Sequence, residues 1–186
     1  MADFVSRAGH KLEHALAHFN LDVNGAVCAD LGSNAGGFVD VLLQRGAGRV
    51  YAIDTGYGAL EWKLRKDPRV VVMERTNAMH ATLREEVGVV TIDVAWTRQR
   101  HILPAARRLI AAEGFCVSLI KPHYEADAAM LKKGILPEER VAEVVQKVSG
   151  DVAAAGFVLA GTVASPIKGA KGNAEVLALL RPAPMA

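Results

Sequence analysis

Aromatic residues fill only 5% of the 186 positions, cysteine occurs twice, and no apolar run approaches the length of a membrane span. Each shortage excludes something. Two cysteines, Cys28 and Cys116, cannot form a disulfide framework, and both lie in apolar strand-like runs, as buried thiols of a reducing compartment do. The opening Met1-Ala2-Asp3-Phe4-Val5-Ser6-Arg7 lacks the apolar core of a secretion signal. A soluble cytoplasmic chain is the expectation, with no membrane partner. The net charge of +2 is too small to announce nucleic-acid binding by itself. Repeats and low-complexity linkers are missing, so residues 1–186 are expected to form one domain. A G-x-G-x-x-G turn is missing too, which disfavours a nicotinamide-dependent oxidoreductase.

What is present centres on Ala29-Asp30-Leu31-Gly32-Ser33-Asn34-Ala35-Gly36-Gly37-Phe38. An apolar, β-prone run (26–31) enters this small-residue turn and a helix-like run (38–45) leaves it. A strand, a tight turn and a helix N-terminus make a nucleotide cradle in open α/β sheets. The next strand, 49–54, ends in Asp54, 24 residues after Asp30. In a βαβ unit that puts a carboxylate beside the first turn, where it can accept both hydroxyls of a ribose. With no pyrophosphate fingerprint, the turn better suits the adenosine of S-adenosylmethionine. Strand 69–73 leads to Asn77, which reads either as a contact to an adenine edge or as an ordinary turn residue.

Two later strands, 87–92 and 114–120, are unbroken apolar runs of the kind buried at the centre of a parallel sheet. They end in Asp93 and Lys121. A carboxylate in that position faces the ligand crevice. The lysine reads as a structural ion pair or as a group held against the reacting centre. Helices are expected over 6–19 (with Ser6 as cap), 58–66, 98–112 and 137–155, and strands over 156–164 and 175–180. The last two strands, joined without a helix, form an antiparallel hairpin. Their loop, 165–173, is glycine-rich and basic, as phosphate-tracking loops are, though a plain hairpin connection reads equally well. In the first helix, His10-Lys11-Leu12-Glu13-His14 fits H-x-x-E-H, a zinc pattern, but nothing downstream marks a third ligand, and a solvated polar face is preferred. Lys11 taken alone is a lysine reaching for solvent.

These stretches together resemble the FtsJ-type ribose 2′-O-methyltransferases, and within them the TlyA/haemolysin-A-like branch. The resemblance rests on Ser6 to Glu13, Asp30 to Phe38 with Leu42-Leu43-Gln44-Arg45-Gly46, Tyr51 to Gly58, Glu74-Arg75-Thr76-Asn77, Lys121-Pro122 and Gly172-Asn173-Ala174-Glu175. It implies an α/β fold, a Rossmann-like seven-stranded S-adenosylmethionine-dependent methyltransferase sheet with helices on both faces and a C-terminal antiparallel hairpin. It implies S-adenosylmethionine as cofactor, S-adenosylhomocysteine as product and RNA, foremost ribosomal RNA or a ribosomal subunit, as substrate. The family's Lys-Asp-Lys-Glu tetrad carries over to Lys11, Asp93, Lys121 and Glu175, with Lys121 as base or alkoxide stabiliser and no metal required. Cofactor contacts are expected from Asp30, Gly32, Ser33, Gly36, Gly37, Phe38, Asp54, Asn77 and Asp93.

Two departures stand out. After Asp93 the chain reads Val94-Ala95-Trp96-Thr97, less apolar than the branch's Ser-Phe-Ile-Ser run. TlyA-like proteins also carry an S4-type RNA-binding module ahead of this domain, whereas here the tetrad helix comes almost at once. RNA capture is then expected to fall on arginines and lysines of the domain itself. Another RNA acceptor such as tRNA, or a pocket that binds without turnover, are the alternatives.

Overall fold

The computed structural model describes residues 4–184. Seven strands form a single mixed sheet in the order β3-β2-β1-β4-β5-β7-β6. They are β1 Val27–Leu31, β2 Arg49–Ile53, β3 Val70–Met73, β4 Val87–Ile92, β5 Ile110–Ile120, β6 Phe157–Ala164 and β7 Val176–Pro182. The first five run parallel; β7 pairs antiparallel with both β5 and β6. The expected sheet and closing hairpin are both present.

Alternation along the strands sorts the core into two layers. Cys28, Val50 and Val89 face a cluster built with Leu12, Leu16, Phe38 and Leu42. The next residues, Ala29, Tyr51 and Val90, face the opposite cluster with Ile102, Leu103, Val148 and Val152. The first layer belongs to α1 (Ala8–His18) and α2 (Gly37–Gln44), the second to α4 (Gln99–Leu109) and α6 (Val141–Ala154). Both cysteines are buried in these layers, and burial pushes the Cys28 thiol up to about 12, as inert core thiols require.

Some boundaries differ from the sequence reading. The helix expected to 112 stops at Leu109, because residues 110–112 already extend β5 and Ile110 pairs with Val87. The helix expected over 58–66 shrinks to α3, Trp62–Arg65. A one-turn α5, Pro122–Glu125, follows Lys121 and was not foreseen. Ser6 does not cap α1 through its side chain; its carbonyl accepts the Gly9 N–H at 3.1 Å instead.

Strand order decides where a ligand can sit. β1 has β2 on one side and β4 on the other, so the chain reverses its direction of winding between β1 and β4. The crevice beyond the carboxyl ends of those two strands is the natural binding place in such sheets. Because β7 runs antiparallel, its start is at that same edge: Val176 pairs with Ile120.

Candidate active site

Five of the seven strands bring a candidate site residue to this edge. Gly32 follows β1, Asp54 follows β2, Asp93 follows β4 and Lys121 follows β5, while Glu175 immediately precedes β7. Glu175 is therefore not within the last strand, as the sequence suggested, but at its entrance, where its carbonyl accepts the Ser165 N–H at 2.9 Å.

The four tetrad residues come together as two ion pairs. Lys121 Nζ lies 2.6 Å from Asp93 Oδ1 and donates to the Val94 carbonyl at 3.0 Å. Lys11 Nζ lies 2.5 Å from Glu175 Oε2. Lys11 stands beside the apolar stripe of α1, whose Leu12, Ala15 and Leu16 are buried against α2 and the sheet. That packing turns its stem toward the start of β7 rather than toward solvent. In the H-x-x-E-H pattern on the same helix, Glu13 is bound by two nitrogens of Arg45, the C-cap of α2. Among the described residues no group of three or more His, Cys, Asp or Glu could hold a metal.

Three adjoining cavities meet at these pairs. One, of about 240 Å³, is lined by Lys11, Asp30, Gly32, Ser33, Gly37, Phe38, Asp93 and Lys121. A second, of about 410 Å³, runs from Gly32 and Asp93 past Asp54 to Asn77. The third, of about 500 Å³, opens on the far side of Lys11 and Lys121 and is walled by Arg7, His123, Tyr124, Lys168, Lys171 and Glu175. The first and second share Gly32, Asn34, Asp93 and Ala95, so they form one continuous crevice along β1 and β4.

The glycines of the turn are closely approached by the protein itself, and Gly32 and Gly36 take positive φ of 92° and 96°. A Cβ on Gly32 would sit 2.5 Å from the Asp93 carbonyl oxygen, and one on Gly36 would strike Leu64. Gly36 adopts φ 96° as N-cap of α2 and lines none of these cavities. Gly37 lines the smallest cavity, and its missing Cβ admits Ser6 and Gly9 of the α1 entry.

Polar groups in the crevice are oriented by hydrogen bonds within the protein. Both Asp54 oxygens are oriented by backbone donors, Oδ2 by Asn34 N–H at 2.9 Å and Oδ1 by Gly56 N–H at 2.7 Å, leaving lone pairs for further donors. Asn77 caps a short turn, its Oδ1 accepting the Met79 N–H at 3.0 Å, and still lines the crevice. Asp30 is 1% exposed; Oδ1 accepts the Thr91 hydroxyl at 2.6 Å, and among the described residues Oδ2 has no partner. Burial, reinforced by Asp93 and Asp54, raises its pKa to about 7 against the opposing Thr91 hydrogen bond.

Sequence reading overlooked His123. It is 9% exposed, among the described residues its buried Nδ1 has no partner, and its ring meets that of Tyr124 at a tilt of 51° with centroids 4.1 Å apart. Burial and the neighbouring Lys121 lower its pKa. The available signal was its position two residues beyond a strand-end lysine.

Comparison with known proteins gives the family and the fold. The FtsJ-like methyltransferase family matches residues 4–181. YqxC of Bacillus subtilis is 44% identical over 94% of this chain, which spans 64% of the length of that protein. A 16S/23S rRNA (cytidine-2′-O)-methyltransferase, TlyA of Mycobacterium tuberculosis, is 39% identical over 96% of this chain and 68% of its own length. The solved structure of a hemolysin-named protein from Streptococcus thermophilus superposes with TM-score 0.95 at 39% identity, covering 98% of this chain and 68% of that one. With the paired lysines and carboxylates at the switch point of this sheet, the chain belongs to the FtsJ-like methyltransferase family.

Proposed function

We propose that this chain methylates the 2′-hydroxyl of an RNA ribose, with S-adenosylmethionine as donor, ribosomal RNA as acceptor and residues 1–186 acting as one methyltransferase domain. The observation that carries the reading is the meeting of Lys11–Glu175 and Lys121–Asp93 where the crevice adjoins the third cavity. The crevice suits the donor: Asp54 offers oriented oxygens to a ribose, and Asp30 Oδ2, unpartnered among the described residues, offers a buried carboxyl oxygen to the donor. When bound, the donor supplies an electrophilic methyl on a positively charged sulfur.

A ribose hydroxyl is a weak nucleophile and must lose its proton as its oxygen attacks. In this reading Lys121 Nζ takes that proton while passing one of its own to Asp93 Oδ1, 2.6 Å away, so the pair as a unit takes up one proton and later returns it to water. Lys11, held by Glu175, directs an ammonium at the developing oxygen charge. Holding both reactants in line supplies much of the remaining rate. Arg7, Lys168 and Lys171 line the third cavity and fit a polyanionic acceptor.

The test is transfer of labelled methyl to purified ribosomal subunits and to tRNA, followed by nuclease mapping. Label is expected on ribosomal RNA, and Lys121→Ala is expected to abolish it while cofactor binding persists. Incorporation that survives Lys121→Ala would refute the catalytic assignment, and label confined to tRNA would replace the acceptor.

A further inference from the structure

Two turns of the same kind adjoin one another, and Lys171 of the second lines the third cavity. Lys133 and Gly134 have φ of 52° and 80°, and Lys171 and Gly172 have φ of 57° and 80°. Two successive positive values are the mark of a type I′ turn. Lys132 and Ile135 close the first with reciprocal backbone bonds of 2.9 and 3.0 Å, and the Asn173 N–H closes the second on the Ala170 carbonyl at 3.2 Å. A left-handed lysine is unfavourable and persists only where its surroundings over-determine it.

Asn173 supplies that constraint to both turns. It is 2% exposed, and all its side-chain hydrogen-bonding groups are used. Oδ1 accepts the Leu136 N–H at 3.0 Å; Nδ2 donates to the Gly134 and Ala170 carbonyls, each at 3.1 Å. The turns also touch, since a Cβ on Gly134 would lie 3.3 Å from Lys171 Nζ. Among the described residues Lys132, Lys133, Lys168 and Lys171 form no ion pair. Lys168 and Lys171 line the cavity that holds Lys11 and Glu175, while Asn173 does not reach it.

From this arrangement we propose that the twin Lys-Gly turns, clamped by Asn173, grip the phosphodiester backbone of the RNA strand beside the nucleotide whose ribose enters the third cavity. The proposal rests on the RNA-methylating reading above. Ammonium groups with no carboxylate to satisfy them, carried on a stapled backbone, are ready for phosphate and indifferent to base identity. Asn173 is a positioning residue: it acts only through the turns it joins.

The experiment measures binding of purified ribosomal RNA by anisotropy across a salt series, using wild-type protein and the Lys133→Asn/Lys171→Asn double variant. Asparagine tolerates the left-handed conformation, so the turns keep their shape while losing charge. Two lost phosphate contacts should flatten the slope of log affinity against log salt by about 1.4 and weaken binding about tenfold near 0.1 M salt. S-adenosylmethionine affinity should not change. Asn173→Asp puts an oxygen against two carbonyls; its KM for RNA should rise more than kcat falls, at wild-type cofactor affinity. A lower melting temperature with KM unmoved would make Asn173 merely structural and overturn the clamp. Methyl transfer by wild type together with an unaltered salt slope in the double variant would overturn the phosphate rim alone. Wild-type protein that methylates no RNA would instead remove the reading beneath it.

Discussion

Lys11 and Glu175 meet at 2.5 Å across a separation of 164 positions, joining the first helix to the entrance of the last antiparallel strand. The contact exists because β7 runs against β5, bringing its first residue to the edge where β5 ends. Both side chains are largely buried, so neither partner is readily replaced by water. Glu175→Gln keeps the shape and removes the charge that holds Lys11. Methyl transfer in single turnover is expected to fall about 100-fold, in the range of a lost proton-handling or charge-stabilising group. Donor affinity by calorimetry should stay within about twofold, since binding energy confined to the acceptor side leaves it unmoved. Loss of donor affinity to the same extent as rate would show that Glu175 serves the donor instead.

Asp30 sets a pH dependence on stability. The folded chain holds its proton to about pH 7, whereas an unfolded aspartate releases it near the ordinary value of 3.8. Between these limits the folded state binds the extra proton, so stability from this group falls as pH rises and is level above about pH 7. Asp30→Asn removes that slope. In donor-free protein, the melting temperature of the variant relative to wild type should climb from pH 5 to pH 8. A difference that stays constant over that range would mean Asp30 is ionised throughout.

Gly37 couples the donor turn to the helix carrying Lys11. A Cβ there would strike Ser6 Oγ and come within 2.9 Å of the Gly9 backbone nitrogen. Gly37→Ala should push the start of α1 away, costing about 1–3 kcal/mol of stability in thermal or denaturant unfolding. Methyl transfer at saturating donor should drop with it, because Lys11 lies in the first turns of that helix. An alanine variant with wild-type stability and rate would show that α1 is free to shift.

Asp54 is the test of the donor crevice. Its two oxygens are already oriented by Asn34 and Gly56. Asp54→Ala should weaken S-adenosylmethionine about 10-fold or more by calorimetry, the size of one or two lost hydrogen bonds to a charged acceptor. The rate at saturating donor should be largely retained. Unchanged affinity would move the ribose subsite elsewhere along the crevice.

Much of this was legible in sequence for a physical reason. Buried parallel strands must be continuous apolar runs, and the residue that ends such a run necessarily emerges at the ligand edge, so Asp93 and Lys121 announced themselves. Asp54 did so through its spacing from Asp30. Glycines are less transparent: a missing side chain does not say whether ligand or protein fills the space, and at Gly32 and Gly36 it is protein. His123 and the Lys-Gly turns stayed hidden because partnerless burial and left-handed dihedrals are properties of packed coordinates, not of residue order.

Residue order by itself determined the alternation that builds two apolar layers around a parallel sheet, the small-residue turn after its first strand, and the polar residues at its strand ends. Tertiary structure alone decided which of those residues touch. Lys11 lies near one end of the chain and Glu175 near the other, and neither belongs to a local pattern that the other completes. Their pairing follows from an antiparallel last strand and from α1 packing over α2, and such long-range contacts arise only when the whole sheet closes.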